Sequence, residues 1–191
     1  MASCVNCDLS KQRTTVVPGE GAEDADILFI GEAPGFNEDQ KGRPFVGAAG
    51  GFLDDLLRSV GLSRETVYIA NVVKCRPPGN RDPLPYEIQT CRPWLEKQLE
   101  IIQPRVIVTL GRFSLARYLP GESISKVHGR ERRVGDIVVF PMYHPAAALH
   151  QGSLRRVIEE DMKKLPGVLE SLGGSVPDST MEEGGQQLAL F

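Results

Sequence analysis

Cys4 and Cys7 stand two residues apart in MASCVNC, and the two remaining cysteines, Cys75 and Cys91, follow with fifteen residues between them. Two thiols in a CxxC can reach one metal ion or cluster, and two distant partners would complete a four-thiolate set. A redox CxxC needs no such partners, and disulfides are disfavoured in a reducing cytosol. Four-cysteine zinc sites commonly use two CxxC pairs, and only one is present; iron–sulfur clusters accept scattered ligands more readily. Spacing alone leaves zinc, iron–sulfur and free buried thiols all open. A centre that held all four would close a loop of about seventy residues, so its first role would be structural.

Three other segments carry polar residues where chemistry is usually placed. Gly31 to Gly47 reads GEAPGFNEDQKGRPFVG, with four glycines, two prolines and three acidic residues. Asn71 opens NVVKCRPPGNRDP, which puts Lys74, Arg76 and Arg81 around a Pro-Pro-Gly turn. His144 lies in PMYHPAAALHQGSLRR. Each segment follows a short apolar run. Ile27-Leu28-Phe29-Ile30 lacks polar alternation, so it reads as a buried parallel strand. Val67 to Ala70, Arg105 to Leu110 and Ile137 to Phe140 read as three more strands.

Helical patterns alternate with these strands. Phe52, Leu53, Leu56, Leu57 and Val60 share one helix face over Ala48 to Val60, and Gly61 caps it. Pro83 to Gln103 predicts a helix carrying Cys91 and Trp94, with a break or kink at Pro93. A short helix follows Gly111 through Tyr118. Residues 124 to 135 are mixed and hold the basic cluster HGRERR. A last helix is predicted from Leu154 to Leu172. Alternating strands and helices imply an α/β fold: a three-layer α/β/α sandwich with a central four-stranded parallel sheet. In such a sheet the carboxyl ends of the strands share one edge, where open α/β sheets place their ligand sites. Glu32, Asn71 and His144 would meet there.

At 191 residues the chain accommodates one domain with a tail, residues 1–172 and 173–191. A net charge of −3 excludes a generally basic surface, so nucleic acid would have to meet a local patch. No basic start, apolar signal core or membrane-length run is visible, so a cytoplasmic protein with no membrane partner is expected, taken as a monomer.

The motifs GEAPGFNEDQKGRPFVG, NVVKCRPPGNRDP, TLG at Thr109 to Gly111 and HPAAAL at His144 to Leu149, with the four cysteines, together resemble the family 4, iron–sulfur branch of the uracil-DNA glycosylases. The resemblance covers residues 1 to about 172. It implies a 4Fe-4S cluster on Cys4, Cys7, Cys75 and Cys91, and a monofunctional hydrolase that removes uracil from DNA and leaves an abasic site. Such an enzyme must flip the nucleotide from the stack. Phe45 would stack on the flipped ring. The Asn71 amide would pair with uracil O4 and N3–H, where cytosine presents the opposite pattern. Backbone of Glu32, Ala33 and Pro34 would make close contacts to the base. His144, as a neutral imidazole, would donate to uracil O2 as charge develops there.

The position matching the water-activating carboxylate of the best-known branch is Ala33, so the water falls to other groups. Glu32, Glu38, Asp39 and Asn80 are the candidates, with Glu38 and Asn80 singled out. Arg76, Arg81, Arg155 and Arg156 are expected on DNA phosphates, and Leu149 as a wedge at the duplex. A second reading is a catalytically weak damaged-base-binding protein that keeps cluster and pocket. A metal-binding regulator built on the CxxC alone would ignore the three strand-end motifs.

After Leu172 the chain runs through a stretch rich in Gly, Ser and acidic residues, predicted to be a flexible linker, and ends QLALF. Gln187, Leu188, Leu190 and Phe191 resemble the short motif that bacterial repair and replication proteins insert into the sliding clamp.

Overall fold

The computed structural model describes residues 1–175. Its centre is a six-stranded sheet in the order β1-β3-β2-β4-β6-β5. The four inner strands are β2 (Ile27–Gly31), β3 (Tyr68–Asn71), β4 (Val106–Leu110) and β6 (Ile137–Met142), all parallel. Two short strands, β1 (Glu20–Gly21) and β5 (Arg132–Val134), close the edges antiparallel. The sequence pattern misses both because runs of two and three residues carry no periodicity.

Every residue of β2 and β4 is buried, as strands covered on both faces require. Ile27 and Phe29 face one core, with α2 (Ala48–Ser59), α7 (Ser153–Met162) and α8 (Leu165–Ser171). Leu28 and Ile30 face the other, with α3 (Pro85–Ile102). This one-residue alternation splits the core into the two halves of a three-layer sandwich. The chain steps from β2 to β3 on one side and returns to β4 on the other, so the order reverses between β2 and β4. A crevice at that reversal is the expected ligand site.

Three helical expectations change. The loop after β2 contains a helix of its own, α1 (Phe36–Lys41), started by Gly35 and stopped by Gly42 at φ +68. Helix α3 is not broken at Pro93. That proline is exposed, so the carbonyl it leaves unbonded can face water. The single helix expected from Leu154 to Leu172 is two, because Pro166 sits in the first turn of α8. A proline there cannot continue the preceding helix but suits a new start.

Candidate active site at the strand ends

Parallel register places Gly31 of β2 opposite Asn71 of β3, and Leu110 of β4 opposite Met142 of β6. All four strand ends therefore lie at one level. His144 follows β6 as the N-cap of α6 (Pro145–His150), two residues past the last ladder pair. Asn71 and His144 leave strands three positions apart in the sheet, about 14 Å across.

Phe45 fills the space between them. Its ring stacks on the His144 ring at 5.4 Å between centroids. The same ring crowds Gly31: a Cβ there would lie 2.6 Å from Phe45 Cζ and 2.4 Å from Asn71 Oδ1. Gly111, after β4, gives His144 similar room, since a Cβ would stand 3.2 Å from the His144 Cβ. Sequence reasoning missed both glycines as pocket residues. Their signal was their place at the very ends of apolar runs.

The loop carrying Phe45 is held in a costly conformation. Phe45 has φ +53, a region that L-residues with a bulky side chain occupy at roughly 1–2 kcal/mol. Two side chains over-determine it. Arg64 donates to the carbonyls of Pro44, at 2.8 Å, and of Phe45. Glu38 accepts from the Val46 and Gly47 amides at 2.8 and 3.0 Å, and from Gly35 N at 3.0 Å. Glu38 is thus a loop brace, with both carboxylate oxygens committed to backbone amides. Asp39, the neighbouring candidate, is likewise taken by Thr14 N at 2.9 and 3.0 Å. Asn80 is exposed and accepts from Arg76 Nε at 2.6 Å. Glu32 differs from all three: it is half-buried at the end of β2, and burial raises its pKa above the usual carboxylate value. Asp82 adds to the rise and Arg112 opposes it. Ala33 is partly buried and Pro34 fully so beside it.

The two polar side chains of the pocket are in states suited to a neutral ligand. Asn71 is 2% exposed, and its Oδ1 has no hydrogen-bond partner among the described residues. A buried amide oxygen left this way costs about 1–3 kcal/mol, unless a ligand completes it. His144 Nδ1 accepts from Ala146 N at 3.1 Å, so the ring proton sits on Nε2. Desolvation pushes the His144 pKa down to about 4, against a small opposing pull from Glu38. The imidazole is therefore neutral at pH 7 and offers one N–H.

The cysteines also converge. Cys4, Cys7, Cys75 and Cys91 line one cavity, with Arg13, Lys74 and Trp94. Arg13 Nη1 donates to Cys75 Sγ at 3.2 Å, and the Lys74 amide to Cys91 Sγ at 3.3 Å. Burial pushes the Cys91 thiol up to about 11, so a thiolate there needs strong positive charge beside it. Among the described residues no three His, Cys, Asp or Glu converge tightly enough for a single ion. One zinc at about 2.3 Å from each sulfur would draw the four together. Four soft sulfur donors around one cavity suit a thiolate-held metal centre.

The expected DNA contacts divide. Leu149 projects from α6, 51% exposed. Arg155 lies over the Phe52 ring at 4.4 Å and pairs with Glu159 at 3.0 Å, while Arg156 pairs with Glu160 at 2.8 Å. Both are exposed i,i+4 pairs that a phosphate can replace. Arg81 is not a free cation: it forks onto the fully buried Glu87 at 2.9 and 2.7 Å, which also caps α3 through Leu84 N. Lys74 is buried too, with Nζ on Gln98 Oε1 at 2.6 Å. Of the three cations expected around that turn, only Lys74 is buried; Arg81 is exposed but paired, and Arg76 is partly buried with its Nε on Asn80. Gln187, Leu188, Leu190 and Phe191 lie outside the described residues.

The model of the uracil DNA glycosylase superfamily matches residues 18–165. This chain belongs to the uracil-DNA glycosylase superfamily. A type-4 uracil-DNA glycosylase of Sulfurisphaera tokodaii is 52% identical over 85% of this chain and 79% of its own length. One from Archaeoglobus fulgidus is 51% identical over 85% and 86%. One from Thermotoga maritima is 47% identical over 89% and 91%. The matched region runs from before β1 to the start of α8, so it contains every strand-end residue described above.

Proposed function

We propose that the protein is a monofunctional uracil-DNA glycosylase of the type-4 kind, which flips uracil from DNA and hydrolyses its N-glycosidic bond. The observation that carries this reading is the pairing of two neutral groups across Phe45: an unpartnered, buried Asn71 Oδ1 and a His144 that presents only an N–H. Uracil fits that pair. Asn71 Oδ1 accepts from N3–H, and its amide nitrogen donates to O4; cytosine would oppose donor to donor and acceptor to acceptor. Phe45 supplies the stacking face.

Cleavage sends the C1′–N1 bonding pair to the base, leaving a uracil anion and an oxocarbenium-like sugar. His144 Nε2–H, aimed at O2, stabilises charge that grows only in the transition state. Because the imidazole has a pKa of about 4, it acts as a dipole and not as a cation. Water attacks C1′, and the proton it loses returns the uracil anion to neutral uracil, leaving an abasic sugar. Glu32 is the group we assign to hold this water, since Glu38, Asp39 and Asn80 are engaged elsewhere.

Cys4, Cys7, Cys75 and Cys91 would hold a 4Fe-4S cluster; their shared cavity and the thiolate-directed donors from Arg13 and Lys74 support it. When bound, the cluster supplies cross-linking and fixed charge, and it ties the N-terminal segment to the Arg76 loop. We further assign QLALF to a sliding-clamp groove and the protein to the cytoplasm. Ser175, where the described chain stops, lies beside Asp26 and Ile27 at the opposite edge of the sheet from the pocket.

The test is release of free uracil from a uracil-containing oligonucleotide, single- or double-stranded, with thymine in its place as control. Excision of uracil alone is expected. Tight uracil-specific binding without release would instead make the protein a damaged-base binder.

A further inference from the structure

Among the described residues Phe36 is the one phenylalanine left exposed, at 55%. It opens α1, inside the loop that carries Pro34 and Phe45. An apolar ring this open adds little to folding. One of its faces is nevertheless covered: the Arg76 guanidinium lies over it, 5.0 Å from the centroid. Arg76 comes from the other pocket loop, after β3, and its Nε is oriented by Asn80 Oδ1 at 2.6 Å. Asn80 and Gly79 hold left-handed backbone, φ +56 and +61, to make that turn. Beyond that contact, more than half of Phe36 stays open to solvent.

Both residues leave the same sheet edge. Phe36 is five residues past Gly31 and Arg76 five past Asn71, and Gly31 and Asn71 are register partners. Five residues of chain span at most about 17 Å, so the pair sits within a few nucleotides of the base pocket.

We propose that Phe36, backed by Arg76, is a stacking platform for an unpaired nucleobase flanking the flipped uracil nucleotide. Flipping removes that base's stacking neighbour, and an aromatic face can replace it. The guanidinium adds a cation beside the strand and holds the ring for the base. The platform favours single strands, because a base in a duplex is already paired and stacked. It also explains why a strongly apolar residue is tolerated on the rim. The proposal rests on the reading of the protein as a DNA glycosylase.

The test uses holo-protein and fluorescence anisotropy with strands that lack uracil, so a failed glycosylase reading shows only in the excision assay. The ligands are about fifteen thymidines as a single strand, the same length of abasic sugar-phosphate, and the thymidine strand paired to its complement. Phe36→Ala is expected to weaken thymidine-strand binding about tenfold, with less than about twofold change on the abasic strand and the duplex. Phe36→Tyr should restore most of the loss, and Arg76→Ala should weaken all three. Equal losses for Phe36→Ala on bases and bare backbone, or no loss on either, would overturn the platform.

Discussion

The base pocket and the cysteine corner share one segment, Asn71 to Cys75, yet they are held together by opposite means. The pocket hangs on a parallel ladder: Gly31 pairs Asn71, and His144 follows two residues after the Leu110–Met142 pair. Its Asn71 and His144 are uncharged and pre-aimed, and the strain at Phe45 is held by Glu38 and Arg64. The corner has no ladder. Cys4 and Cys7 lie on an N-terminal segment, Cys75 on a loop and Cys91 on α3, and their sulfurs meet only around a cavity. One region is specified by the fold, and the other helps to specify it. Removing a pocket residue should change chemistry, and removing a cysteine should change the structure that presents DNA.

The largest effect is expected from Cys91→Ser. It would take a ligand from the proposed centre, whose loss would reopen a loop of about seventy residues, worth on the order of 4 kcal/mol by loop closure alone. The melting temperature should fall by on the order of 10 °C in a calorimeter. Affinity for DNA should fall as the Arg76 loop loosens. Purified wild-type protein should be brown, and the variant should lose that absorption. A colourless wild type with stoichiometric zinc after anaerobic preparation would make the corner a zinc site.

Next comes His144→Ala, which would remove the donor we assign to uracil O2. The single-turnover rate should drop by about 2–4 kcal/mol in activation free energy, with the melting temperature little changed. The pH profile sharpens the assignment. His144 is active when neutral, and its pKa is about 4, below the ordinary 6.5. The wild-type rate should therefore hold from pH 8 to about 5 and fall as protonation sets in near 4. A depressed folded-state value also means that this group's contribution to stability is complete above 6.5 and is lost as pH falls through about 4. A rate that falls with an apparent pKa near 6.5 would place the titrating group elsewhere.

The contrast also explains what could be read from the sequence. Apolar runs and helix spacing predicted the four inner strands and α2, and the polar residues at three strand ends pointed to the edge where the candidate site lies. What could not be read was which partner each charge would take. Arg81 and Lys74 look like surface cations in NVVKCRPPGNRDP, but one forks onto Glu87 and the other is buried against Gln98. Glu38 looks like a candidate base, but its oxygens brace three amides from both sides of Phe45. Each of these pairings joins residues whose proximity the fold creates or whose competition for a partner a pattern cannot express. Gly31 and Gly111 belong with them, since the need for a missing Cβ appears only when Asn71, Phe45 and His144 are placed around them.

The smallest effect tests the boundary of the comparison, where α7 carries cations that belong to neither region. Arg155 and Arg156 are paired with Glu159 and Glu160 one turn on, and Arg156 is 86% exposed. Such exposed pairs contribute little to stability, so losing them should barely move the melting temperature. On DNA the same arginines would exchange carboxylate for phosphate. Each arginine withdrawn from a phosphate should lower the slope of log affinity against log salt by about one. Arg155→Ala should do slightly more than Arg156→Ala, because its guanidinium also covers Phe52, a ring of the α2 core. The double variant should thus bind more weakly at low salt and converge on wild type as salt rises. Unchanged affinity and slope would move the duplex away from α7 and leave Leu149 without neighbouring phosphate contacts to seat it.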